Sequence, residues 1–305
     1  MSIDVIIPAY NAEKTLRRAV ESALSHPEAN IILINDGSTD GTAALCGHLA
    51  ENGRVRVIHK ENGGVSSARN CGLAASAGEY VTFLDADDVL LPGAMDMLLK
   101  ALQESGVDAV QGCVSRREAA AGSGRLQRMA GREALRRAMS DPTACLHTHG
   151  WLYRRTLLTE RFDESLTLGE DGEWMLRTLR HAAAVSFLDA PVYLYTVRPD
   201  SAVHGSRDVC AAYMRTLRAA QPALNAADAP AEAALYLLTH LLLMLTHGDF
   251  SEAAALRDEP MFASAFRAAR LTGMSPRIWT LRLLKLRLIP LVRAAIAVRR
   301  RMNAS

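Results

Sequence analysis

Four near-continuous apolar runs in the first hundred residues, separated by helical patterns, constrain the fold more than any other feature of this chain. "IDVIIP" (3–8), "NIILIN" (30–35), "RVRVIH" (54–59) and "EYVTFL" (79–84) read as strands. After the first of them Leu16, Ala19, Val20, Ala23 and Leu24 fall on one helical face. Further helices are expected at about 41–51 and 66–76. Strands that are apolar along their whole length are buried on both faces, and helical crossovers make neighbouring strands parallel. The expected fold class is therefore α/β, a central and mostly parallel sheet with flanking helices.

Beyond Gly106 the rhythm loosens. "GVDAVQGCV" (106–114) reads as another strand and "AAAGSGR" (119–125) as a loop. "TLGEDGEWMLRTLRHA" (167–182) reads as a turn opening into a helix, and "VSFLD" (185–189) and "PVYLYTV" (191–197) as two strands. From Asp208 onward the pattern is helical and Ala/Leu-rich, without an internal repeat. Two parts are expected, an α/β domain over residues 1–205 and a helical C-terminal region over 206–305.

With 49% apolar and 22% charged residues the 305-residue chain has the composition of a globular protein. Its five cysteines are odd in number and never paired as C-x-x-C, which argues for free thiols in a reducing, cytoplasmic compartment. The first strand starts at Ile3, so no secretory signal peptide is expected. Net charge is only +2, yet ten of the 35 Lys and Arg lie from Pro260 onward, where there is no Asp or Glu. An acidic body with a basic tail implies a negative partner for the tail.

In open parallel sheets ligands bind beyond the carboxyl ends of the strands. The polar residues of this chain collect there: Pro8, Ala9, Tyr10 and Asn11 after the first strand, "NDGSTDGT" (35–42) after the second, "DADD" (85–88) after the fourth. Ser38, Thr39 or Asp40 reads as a helix cap, which leaves Asp36 at the strand end able to accept hydrogen bonds from a base or ribose. Arg69 lies one turn inside the helix after "ENGG" and is placed to reach a phosphate or carboxylate at the rim. Asp85, Asp87 and Asp88 repel one another; two such charges about 5 Å apart cost roughly 3 kcal/mol at an effective dielectric near 20. A hard divalent cation offsets that cost. Glu170 and Asp171 stand beside a glycine at a helix start, where acids are electrostatically favoured and a general base is well placed. His147 and His149 have ligand chemistry but no third ligand nearby in sequence, and read as structural.

Taken together, "VIIPAYNAEKTL" (5–16), "NDGSTDGT" (35–42), "NGGVSSARNCGL" (62–73), "GEYVTFLDADD" (78–88), "GWLYRRTLL" (150–158) and "LGEDGEW" (168–174) resemble the family-two inverting glycosyltransferases of the GT-A fold. The resemblance spans roughly residues 1–200, with order and spacing kept. It implies transfer of a sugar from a nucleotide-diphospho-sugar, usually a UDP-sugar, to an acceptor hydroxyl of a glycan or lipid-linked molecule, as in bacterial cell-surface polysaccharide or glycolipid synthesis. On that resemblance Pro8, Ala9 and Tyr10 form the bed for the base, Asp36 holds base or ribose, and Arg69 orients the nucleotide. Asp85 touches ribose or sugar, and Asp87 ligates Mn²⁺ or Mg²⁺ on the diphosphate. Asp171 is the catalytic base of an acidic pair with Glu170, and Trp174, Arg198 and His204 are further candidates. The chain departs from the family in two places: Asn35 stands where an acid is common before the Gly-Ser turn, and the late motif after the paired strands is only loosely met by "YTVRPDSAVHGS" (195–206), where Arg198 and His204 are the candidates for diphosphate or metal.

Residues 277–301, "RIWTLRLLKLRLIPLVRAAIAVRRR", read as a basic amphipathic helix broken by Pro290. No uncharged run there approaches the roughly 20 residues that span a bilayer, so peripheral attachment to an anionic surface, the inner face of the cytoplasmic membrane, is the expectation. Nucleic acid is not an expected partner, because nothing aromatic or modular accompanies the charge. An alternative is a catalytically inactive nucleotide-sugar-binding or interaction protein with the same fold; the presence of both Asp87 and Asp171 weighs against it. A nucleotidyltransferase would favour a glycine-rich phosphate loop after the first strand, and "PAYNAEKTL" has no glycine.

Overall fold

The structure is a computed structural model that describes residues 2–117, 122–196, 208–272 and 275–304. By internal contacts it divides into two compact units, Met1–Ala134 with Thr148–Arg198, and Leu135–His147 with Pro199–Ser305.

The first unit is built on a nine-stranded sheet. Its first half follows the apolar runs: β1 (Ile3–Ala9), α1 (Leu16–Leu24), β2 (Ala29–Asp36), α2 (Thr42–Leu49), β3 (Val55–Lys60), α3 (Gly64–Ala75) and β4 (Tyr80–Phe83). In α1 the buried residues are Leu16, Ala19, Val20 and Ala23, the face that the spacing predicts. β1 pairs in parallel with both β2 and β4, and β2 with β3. Their carboxyl ends therefore share one rim. Helix α3 lies close on β1 because Gly72 faces Ile6; a Cβ there would stand 2.3 Å from Ile6 Cγ2.

The second half mixes directions. β5 (Val89–Leu90), α4 (Ala94–Ser105), β6 (Ala109–Ser115), β7 (Leu126–Ala130), α5 (Gly131–Ser140), α6 (Pro142–Cys145), β8 (Trp151–Arg154), α7 (Glu170–Leu179) and β9 (Ala184–Leu194) follow in order along the chain, most of α5 and all of α6 belonging to the second unit. The strand order is β3-β2-β1-β4-β8-β6-β9-β5, with β7 on β9. β8 runs antiparallel to both β4 and β6, while β6 and β9 are parallel.

Two expectations need correction here. The strands predicted at 185–189 and 191–197 are one strand, β9. Pro191 does not break it, because it pairs with Cys113 where the β6 register shifts, so the ladder loses no needed donor. The segments that become β7 and β8 were not read as strands, since each is short and neither alternates cleanly.

In the second unit α8 (Val209–Ala226), α9 (Pro230–His247), α10 (Phe250–Ala255), α11 (Pro260–Ala268), α12 (Pro276–Lys285) and α13 (Ile289–Ala304) follow one another. Pro230, Pro260 and Pro276 each sit in the first turn of a helix, where the missing N–H costs nothing. The tail break falls at 286–288, and Pro290 opens α13 rather than kinking a longer helix.

Candidate active site

The rim beyond β1 and β2 is two loops fastened together. Asn11 takes a left-handed φ of 48°, and its side-chain oxygen accepts from the Thr39 N–H at 2.8 Å. The Ala12 N–H donates to Thr42 Oγ1 at 2.8 Å, and the Gly41 N–H to Glu13 at 2.8 Å. On this platform Ala9 is buried, Pro8 half-buried and Tyr10 51% exposed, so the phenol ring is the one open to a ligand. Asp36 is only 2% exposed and already engaged. Its carboxylate accepts from Lys60 Nζ at 2.6 Å and from the N–H groups of Gly63 and Gly64 at 3.1 and 2.8 Å. Asp36 thereby anchors the start of α3. Asn35 takes the neighbouring role, meeting the His59 ring at 2.9 Å and accepting from the Ser38 N–H at 3.3 Å.

From α3 two adjacent side chains reach in different directions. Asn70 clamps the loop before α7, donating to the Phe162 carbonyl and to Glu164 at 2.9 Å each and accepting from the Phe162 N–H at 2.8 Å. Arg69, 3% exposed, donates to Asp85 at 3.1 Å and to Glu170 at 3.3 Å, and its guanidinium lies 5.5 Å from the Phe162 ring centroid. One buried cation thus ties the turn after β4 to the start of α7. Those two segments are 85 residues apart in the chain.

The "DADD" turn is held by β9 and β8. The Asp85 N–H donates to the Tyr193 hydroxyl at 3.1 Å, which itself donates to Asp88 at 2.8 Å. Asp88 also accepts from the Thr196 N–H at 2.7 Å. His149 Nε2 lies 3.0 Å from the second oxygen of Asp85. Burial opposes ionisation of Asp85, but Arg69 and His149 overcome it and hold its carboxyl well below the usual range. For Asp88, burial, with the charges of Asp85 and Asp87 added, outweighs the hydrogen bonds from Thr196 and Tyr193 and pushes it up to about 6. Burial works against charge on His149, and Asp85 more than compensates, so its pKa is raised.

Across the gap, Gly169 takes a φ of 75° to start α7, which carries Glu170, Asp171 and Glu173 in its first turn. Glu173 pairs with Arg177 at 2.6 Å and is not part of the rim. Asp171 is half-buried, accepts from the Gly172 N–H at 2.8 Å, and lies within the field of Arg69 and His149. Glu170 is pushed up to about 6 by burial and by the Asp171 charge, against the pull of Arg69. Trp174 is wholly buried. It stacks on Phe162 at 4.4 Å between ring centroids and donates to the Glu160 carbonyl at 3.0 Å, so it fixes α7 against the clamped loop.

The structure therefore brings Arg69, Asp85, Glu170 and Asp171 to one place, with Asp87 half-buried on the same turn. Arg198 and His204 lie outside the described residues. His149, which reads from sequence as structural, is a partner of Asp85; Asp88, expected only as one of the clustered carboxylates, and Tyr193, for which the sequence offers no signal, complete the turn.

Carboxylate oxygens dominate the donor set, which suits Mg²⁺ or Mn²⁺. Asp85, Asp88 and His149 offer ligand atoms within 4.8 Å of one another, and the excess of carboxylates over cations is what a divalent ion would offset. The residues fit such an ion.

Comparison with known proteins gives the context. Over 216 residues the chain is 32% identical to the succinoglycan biosynthesis protein ExoU of Rhizobium meliloti, a match covering 65% of this chain and 62% of that protein. The chain thus spans about three fifths of the length of curated relatives such as this one. In structure it resembles S. aureus TarS 1-349, solved in complex with UDP-GlcNAc, with a TM-score of 0.69 and 19% identity over 99% of this chain and 92% of that one. It also resembles the mannosyltransferase PcManGT from Pyrobaculum calidifontis, solved with GDP-Man and Mn²⁺, with a TM-score of 0.52 and 19% identity over 97% of this chain and 84% of that one. At such identities the likeness shows the fold, a GT-A-like one. The profile of glycosyl transferase family 2 matches residues 4–162, from β1 past the "DADD" turn and His149 to the clamped loop, and on that match the chain belongs to glycosyl transferase family 2.

Proposed function

We infer that this chain is an inverting glycosyltransferase that moves a sugar from a nucleotide-diphospho-sugar, specifically a UDP-sugar, to an acceptor hydroxyl. Family membership and a solved fold relative holding UDP-GlcNAc support the donor class. The observation that carries the reading is Arg69, bridging Asp85 at 3.1 Å and Glu170 at 3.3 Å. It couples a donor-side turn to an acceptor-side helix start.

On this reading Pro8, Ala9 and the exposed Tyr10 seat the base, and Asp36 orders the platform beside the ribose. Arg69 orients the nucleotide and Asp85 faces the ribose or sugar, while Asp87, on the same turn as the cluster of Asp85, Asp88 and His149, would hold Mn²⁺ or Mg²⁺. Such an ion, when bound there, would supply charge neutralisation for the leaving diphosphate. Asp171 takes the proton of the acceptor hydroxyl as its oxygen bonds to the anomeric carbon. The bond from that carbon to the diphosphate breaks on the opposite face, and its electron pair leaves with UDP. One such displacement inverts the centre, the logic of a carboxylate-activated nucleophile. Glu170, held by Arg69, positions the neighbouring Asp171.

The relatives support an acceptor class, a glycan or lipid-linked molecule in bacterial surface-polysaccharide or glycolipid synthesis, as ExoU is named for succinoglycan. With it goes a place in the cell, the cytoplasm, peripheral on the inner face of the membrane through residues 277–301. Among the described residues no helix is long and apolar enough to cross a membrane. The division into a transferase domain over 1–205 and a helical region over 206–305 belongs to the same proposal.

Turnover is the test. The chain is incubated with Mn²⁺, a panel of UDP-sugars and a lipid-linked acceptor, and UDP release is followed by phosphorus NMR. Metal-dependent release with one donor supports the reading; no release with any donor contradicts it.

A further inference from the structure

Five of the seven large apolar side chains exposed among the described residues lie on the last two helices and the turn between them: Trp279, Leu286, Leu288, Leu291 and Val298. Three crowd into residues 286–291, with Leu286 68%, Leu288 41% and Leu291 53% exposed. There α12 ends, the chain turns through Arg287 at a φ of 61°, and α13 begins. The same two helices already bury an apolar face made of Ile278, Leu281, Leu284, Val292 and Ile296. The exposed leucines are surplus to the fold.

Cations alternate with them. Lys285, Arg287 and Arg293 are all exposed. Arg287 meets Asp258 at 3.0 Å in open solvent, a pair worth little. Arg293 rests over the Phe250 ring at 5.0 Å and, like Lys285, has no carboxylate partner among the described residues. A cleft of about 560 Å³ opens beside the start of α13, with Phe250, Ala254, Ile289, Ala294 and Ala297 among its walls.

A nucleic acid would use the cations and leave the leucines in water. A second copy of the chain would set two strongly basic tails against each other. An anionic bilayer uses both features, apolar tips at the acyl boundary and cations among the headgroups. We propose that the turn at residues 285–291 is a wedge that seats the chain on an anionic lipid surface, Leu286, Leu288 and Leu291 entering the interface and Lys285, Arg287 and Arg293 ringing it. This rests on the peripheral-attachment part of the reading above and names the element that performs it.

The test is flotation of the full chain with phosphatidylcholine vesicles, with and without phosphatidylglycerol, at low salt. The chain floats only with phosphatidylglycerol. Leu286→Ser with Leu288→Ser and Leu291→Ser, and separately Lys285→Glu with Arg293→Glu, each lower the partition coefficient by about tenfold or more, with circular dichroism unchanged. Leucine variants that float like the parent overturn the wedge, while leaving attachment through the basic tail as a whole. Leucine variants that instead abolish a dimer in mass photometry overturn it in favour of a second copy. Loss of binding only with the charge variants, together with RNA binding by the parent, overturns it in favour of a polyanion. No turnover is read, so none of these results touches the sugar-transfer reading.

Discussion

Without the Arg69 side chain, Asp85 and Glu170 would lose the buried guanidinium that bridges them. Removing one partner from such a network is costly, so Arg69→Ala should lower stability by roughly 3 kcal/mol in urea titrations. Arg69→Lys should recover only part of that, since an ammonium lacks the fork that reaches two carboxylates at once. An unchanged midpoint for Arg69→Ala would mean that the bridge contributes nothing. Asp171→Asn is the complementary change: it should keep donor affinity and slow transfer by roughly 10²–10⁴-fold, and transfer at the parent rate would remove Asp171 from the mechanism. The meeting of Asp85, Glu170 and Asp171 was legible because each stands near a strand end or a helix start, with Arg69 one turn inside α3. His149 was not, because its partner Asp85 is 64 residues away. β8 pairs with β4 with Tyr80 opposite Arg154 and Val81 opposite Tyr153, which brings the residues before β8 to the turn after β4. That pairing is antiparallel, and nothing in the helix-strand alternation announces it.

At the scale of elements, α3 does most to fix the geometry. Its N-terminus hangs on Asp36, its middle lies against β1 through Gly72, and its inner face carries Arg69 and Asn70. Gly72→Ala pushes a methyl into Ile6, a stiff β-branched neighbour, and should cost about 1–3 kcal/mol; a neutral midpoint in thermal unfolding would show that α3 can retreat freely. Asn70→Ala strips three hydrogen bonds from the loop at 162–164 and should loosen it by about 1–3 kcal/mol, read as faster amide exchange around Phe162. Protection unchanged there would place the loop's anchorage in the aromatic stack of Phe162 and Trp174 instead. The parallel half of the sheet was legible because apolar runs and helices alternate. The other half was not: β7 and β8 have five and four residues, and a bulge carries β9 past Pro191. Such short strands are set by their partners rather than by their own sequence.

At the scale of the whole molecule, contacts assign Leu135–His147 to the helical unit, although one cut near residue 205 was expected from the sequence. Pattern along the chain cannot reveal which distant segment a short helix packs on. Charge follows the same division of labour: carboxylates gather at the rim, and the tail from Pro260 is wholly basic. On the proposed reading, the rim binds a nucleoside diphosphate through a metal. This is tested most directly by calorimetric titration of UDP, GDP, CMP and dTDP into the purified chain, with and without Mn²⁺, repeated on Asp87→Asn. UDP should bind, binding should need the metal, and the variant should lose it. Binding of UDP that is indifferent to both Mn²⁺ and the substitution, or no metal-dependent binding of any of the four, would contradict that reading.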